Sequence, residues 1–97
     1  MGAGGVPNRG IEIVHGKRGD LPTHGAKPNY RYDLYLNGTK IQSRWFDENG
    51  NVIRNRDFEH QDAHNTHYFP HDHQWEWISN KPIRDKNILK PDYDNYI

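Results

Sequence analysis

The clearest alternation of apolar and polar positions lies between Tyr30 and Phe58. Tyr30, Tyr32, Leu34 and Leu36 share one parity, and Arg31 and Asp33 take the other. That is the period of two of a half-buried strand. Asn37-Gly38 follows at once. This pair tolerates the positive φ angles of a type I′ turn and predicts a two-residue hairpin. In residues 40–46, Ile41, Ser43 and Trp45 share a face and Arg44 takes the other. Asp47-Glu48-Asn49-Gly50-Asn51 reads as a second turn, and residues 52–58 as a third strand. Three strands joined by two tight turns make an antiparallel meander.

The flanks are less regular. Residues 1–10 read as a flexible glycine-rich leader, and 11–97 as one domain. Residues 11–15 alternate and predict a short strand. Gly16, Gly19, Pro22, Gly25 and Pro28 make 16–29 a loop. Residues 59–74 show no period and read as a second, histidine-rich loop. Trp75-Glu76-Trp77-Ile78 reads as a short closing strand that places both tryptophans in the core. The tail carries Pro82 and Pro91, with one helical turn expected at 84–89. The expected class is therefore α+β, mainly β. It is a small single domain on a three-stranded meander, with a His-rich loop beside the outer face of the strands and a short C-terminal element.

Composition narrows the functional classes. The 97 residues include no cysteine, so disulfides, thiolate zinc sites and cysteine nucleophiles are excluded. No apolar run approaches the roughly 18 residues needed to span a membrane. The N-terminus lacks a basic region followed by an apolar stretch, so no signal peptide is expected. Thirteen basic residues balance thirteen acidic ones. That neutrality argues against tight, non-specific binding to duplex DNA, while leaving room for a few arginines serving one phosphate. With only 32 % hydrophobic residues, 12 % of the chain being aromatic, the core is expected to be small and aromatic-rich.

The histidines carry the chemistry. His60, His64, His67, His71 and His73 lie within one short segment, interleaved with Asp62 and Asp72. Arg54, Arg56 and Asp57 stand just upstream, and Arg44 precedes them on the neighbouring strand. Histidine titrates near neutrality and can both take and give a proton. Arginine grips phosphate with paired donors. This inventory suits cleavage of an RNA phosphodiester without a cofactor. A second reading is a divalent transition metal such as zinc, held by His71 and His73 with His64 or His67. A third is a solvated polar loop with no chemistry. His15 and His24 read as structural, with His24 able to reach the site from its loop.

The run from Pro22 to Trp77 resembles the C-terminal toxin domains of bacterial polymorphic toxin systems, of the Rhs and contact-dependent types. The residues that carry the resemblance are Leu21-Pro22-Thr23-His24-Gly25, Lys27-Pro28-Asn29, Tyr32-Asp33-Leu34-Tyr35 and the stretch from Gln42 to Gly50. Arg54-Asn55-Arg56-Asp57 and Phe69-Pro70-His71-Asp72-His73 with Trp75 and Trp77 complete it. The resemblance implies a nuclease toxin acting on RNA, delivered within a larger toxin to the cytoplasm of a competing cell and neutralised by a cognate immunity protein. In that reading His71 and His73 are the proton-transfer candidates and His60 a further one. Arg44 and Arg56 bind phosphate, and Asp57 orients a ring. The alternatives are a metal-dependent nuclease using His64, His67, His71 and His73, or a non-catalytic interaction or metal-binding module derived from a toxin.

Overall fold

The computed structural model describes residues 8–58 and 70–97. Asn37 and Gly38 take φ angles of 51° and 84°, so the tight hairpin forms where the sequence puts it. Around it are six strands: β1 (Gly10–His15), β2 (Tyr30–Leu36), β3 (Thr39–Phe46), β4 (Val52–Asp57), β5 (His71–Ile78) and β6 (Lys81–Arg84). They form one sheet in sequence order. Pairing is antiparallel from β2 to β6, while β1 runs parallel to β2. A parallel neighbour needs a long crossover, and residues 16–29 supply it.

Several expectations change. The sheet has six strands rather than three, and no helix occurs among the described residues. The assignment is therefore a small, mainly β domain. His71 to Gln74, expected in a loop, open β5. No helical turn forms at 84–89, where Arg84 ends β6 and Leu89 bridges to β5; Ser79 and Asn80 adopt φ of 52° and 64° and close a hairpin into β6. Pro82 is tolerated there because β6 is an edge strand. The chain then runs back along β5, where Leu89 and Asp72 exchange backbone hydrogen bonds. Gly10, placed in the leader by sequence, is the first residue of β1.

Each face of the sheet is covered by an irregular segment. On one face, Leu21 packs with Leu34 and Ile41, and Ala26 with Phe46 and Val52. Tyr32 touches both groups, and Trp75 and Trp77 flank the second half-buried. Ile41 belongs here rather than beside Trp45, because the β2–β3 register skips one residue: Leu34 pairs with Gln42 and Tyr35 with Lys40. The bulge returns Ile41 to the side of Leu34. On the opposite face, Asp33 lies across from Ser43, Ser43 from Arg56, and Arg56 from Asp72. The C-terminal segment covers this polar ladder. Tyr96 meets Trp45 edge-on at 5.5 Å, and Tyr93 lies over the Arg56 guanidinium at 4.5 Å. At its rim is a cavity of about 450 Å³, lined by Asn8, Gly10 and Ile11 from one end of the described chain, Asp94 and Ile97 from the other, and Arg31 and Trp45 below.

Candidate functional site

Asp57 is the last residue of β4 and His71 the first of β5, and the two are direct cross-strand partners. His73, two positions on, projects from the same face. The result is a buried group of three. His71 Nε2 lies 3.3 Å from Asp57 Oδ2, and His73 Nε2 lies 3.9 Å from the same oxygen. The two rings meet edge-on, with centroids 5.1 Å apart. All three ligand-capable atoms fall within 4.8 Å of one another.

Neighbours on β3 and on β4 itself fix the carboxylate. Gln42 Nε2 donates to Asp57 Oδ1 at 2.8 Å and Asn55 Nδ2 at 3.4 Å. Trp75 Nε1 donates to Asn55 Oδ1, which turns the Asn55 amino group toward Asp57. Arg18, from the crossover loop, adds an ion pair to Oδ1 at 3.6 Å. With Oδ1 so occupied, Oδ2 is presented to the two imidazoles. His73 Nδ1 lies 2.8 Å from the Asp85 carbonyl oxygen. A carbonyl only accepts, so Nδ1 carries the proton and Nε2 holds the lone pair in the neutral ring. Burial pushes the His73 pKa below its ordinary value. The Asp85 carbonyl opposes that shift and the charge of Arg84 adds to it.

Among the sequence candidates, then, the fold brings Asp57, His71 and His73 together. Arg44 shares their face, on β3 opposite Asn55. Its guanidinium is engaged: Nη1 donates to the carbonyls of Leu21 at 2.9 Å and Pro22 at 3.1 Å, and the group stacks over Trp75. Burial lowers the Arg44 pKa to about 10, with Asp57 opposing and Arg84 reinforcing. Arg44 thus straps the crossover loop to the sheet. Arg56 lies on the opposite face, held by Asp72 through Nε at 2.7 Å and Nη2 at 3.0 Å. It does not join the histidines. His60, His64 and His67 lie outside the described residues. His24 packs against Trp77, at 6.5 Å between ring centroids. His15 sits by Tyr35 on β1.

Four contributors were not singled out by the sequence: Gln42, Asn55, Arg18 and the Asp85 carbonyl. The register of the β3–β4 hairpin, which pairs Gln42 with Asp57, is the signal that points to the first, and the period of two along β4, which puts Asn55 on the face of Asp57, points to the second. Arg84, on β6 opposite Trp75, was also overlooked. It is exposed, and near enough for its charge to act on both Arg44 and His73. The arrangement suits two kinds of chemistry, proton transfer through the imidazoles and coordination of a cation.

Protein-family models, curated proteins and solved structures all fail to match this chain. The toxin-domain resemblance therefore rests on the residues quoted for it.

Proposed function

We propose that the chain is a toxin-type ribonuclease domain whose chemistry is carried by His71 and His73, with Asp57 holding them. The observation behind this reading is the convergence of both Nε2 atoms on one carboxylate oxygen. Imidazoles can take and give protons near neutral pH. His73 suits the role of base: its Nε2 carries the lone pair while Asp85 holds the other nitrogen. It takes the proton of an RNA 2′-hydroxyl, and that oxygen attacks the adjacent phosphorus. The bond to the 5′-oxygen breaks, and His71, oriented by Asp57, supplies the proton this leaving oxygen needs. The products carry a 2′,3′-cyclic phosphate and a free 5′-hydroxyl. Arg84 replaces Arg56 as the cation assigned to phosphate, because it is exposed on the site's own side of β6. RNA and a cognate immunity protein are the partners this reading names, with action in a target-cell cytoplasm after delivery in a larger toxin.

The test is incubation of the purified chain with bulk tRNA, ribosomal RNA and DNA, with and without chelator. RNA is cut to cyclic-phosphate ends in the presence of chelator, and DNA stays intact because it lacks the 2′-hydroxyl. His71→Ala and His73→Ala each lower the rate about 10²–10⁴-fold, the usual contribution of a positioned acid or base. Intact RNA under every condition overturns the proposal.

A further inference from the structure

We propose that Asp57 Oδ2, His71 Nε2 and His73 Nε2 also form a site for one divalent transition-metal ion of the zinc class, and that the bound ion silences the proton chemistry. The silencing half rests on the ribonuclease reading; the binding half does not.

Spacing supports the site first. A tetrahedral ion with bonds of about 2.0–2.1 Å separates its ligand atoms by about 3.3 Å. The His71–Asp57 pair already stands at 3.3 Å, and the His73–Asp57 pair at 3.9 Å. The three ligand atoms all lie within 4.8 Å of one another, so closing the set needs at most about 1.5 Å of movement, shared between the two imidazoles by ring rotation. The ligands come from two paired strands, so the backbone ladder holds them in place.

The surroundings have the features of a metal centre's outer shell. A ligating histidine ordinarily donates its other N–H to a carbonyl or carboxylate, which fixes the tautomer that binds. His73 does this toward Asp85. A ligating carboxylate is ordinarily held by further donors, as Gln42 and Asn55 hold Asp57 through the oxygen turned away from the histidines. The Gln42 amide carries a second signal. Its Oε1 is buried with no hydrogen-bond donor. Such an orphan is costly, and it sits on the side chain that grips the Asp57 carboxylate.

The donor set selects the ion. Two imidazoles and one carboxylate, without thiolate, suit zinc, cobalt or nickel better than magnesium, which prefers oxygen and retained water. Three protein ligands leave one tetrahedral position for water. Silencing follows from electron count. The Nε2 lone pair that takes the 2′-hydroxyl proton is the pair that would bind the ion, so His73 cannot do both at once.

The experiment titrates cobalt(II) into the metal-stripped full chain, follows its ligand-field bands, and displaces it with zinc. One ion per chain is expected. Asp57→Asn and His73→Gln each weaken binding at least tenfold, and Gln42→Ala weakens it about 10–100-fold as an outer-shell loss. Equal affinity in wild type and both ligand variants, with the variants folded by circular dichroism, overturns the site. Should a variant not fold, ring ¹⁵N spectra of the wild type decide. Two Nε2 resonances shift with zinc if the inference holds, and unshifted His71 and His73 signals defeat it. RNA cleavage in chelator that stops at one equivalent of zinc supports silencing, and cleavage that requires zinc overturns it. Zinc binding without cleavage in any state upholds the site while the ribonuclease reading falls.

Discussion

Asp72 is the residue on which most buried charge depends. Its carboxylate accepts from Arg54 Nε at 2.7 Å, from Arg56 Nε at 2.7 Å and Nη2 at 3.0 Å, and from the Asp92 backbone N–H at 3.2 Å. Both guanidiniums are buried as well. Removing one partner of such a group leaves the others desolvated without compensation, which costs about 3–5 kcal/mol. Asp72→Ala should therefore unfold the chain at markedly lower denaturant, as equilibrium urea titration will show. An exposed pair such as Lys27–Glu12, at 2.7 Å, is worth far less because solvent screens it. Gly50 is a second sensitive residue. Its φ is +76°, and a Cβ there would collide with the Ala26 carbonyl oxygen. Gly50→Ala should cost about 1–2 kcal/mol from backbone conformation alone, plus the displacement of the crossover loop. Thermal melting measures the total.

At the scale of elements, legibility followed the chemistry of each strand's partners. The β2–β3 hairpin was readable because Asn37-Gly38 is specific and Leu34 sits in an apolar stripe. Ile41 misled by parity, since a bulge is invisible to simple alternation. β5 was unreadable at its start because both of its faces are polar: His71 and His73 face Asp57 on one side, while Asp72 faces the arginines on the other. A period of two has no hydrophobic contrast to show itself when each buried neighbour is itself charged. The same holds for the C-terminal segment, whose Tyr93 and Tyr96 cover arginines rather than aliphatics. Tyr96→Ala removes an aromatic pair with Trp45 and a cation–π contact with Arg54. A loss of about 1–3 kcal/mol is expected. The segment's release will also show as a red-shifted tryptophan emission as Trp45 becomes wet.

For the whole molecule, zero net charge conceals two locally organised faces. One buries arginines and aspartates against each other beneath a strap of tyrosines. The other gathers imidazoles around a single carboxylate. The histidine clustering was legible in the sequence, and so was the pairing of Asp57 with a ring. Gln42 was not, because its part depends on cross-strand register, which one chain of letters does not display. Arg56 illustrates the opposite failure. It stands one residue from Asp57 in sequence, and that single step carries it to the other side of the sheet. Arg84, distant in sequence, reaches the site's side through the β5–β6 hairpin. Arg84→Ala should lower cleavage of RNA about tenfold through KM rather than kcat, as expected for a residue that binds phosphate without sharing in proton transfer. Steady-state rates on a short RNA substrate separate the two parameters.

The cavity shared by Asn8, Gly10, Ile11, Asp94 and Ile97 means that the beginning and the end of the described chain meet at one rim. Joining them through a short linker and reopening the backbone between Asn37 and Gly38 would reorder the sequence without moving a strand. Such a circular permutant should fold to the same sheet, because neighbouring strands from β2 to β6 keep their pairings and only the route between elements changes. Its amide spectrum should overlay that of the parent except around the new ends.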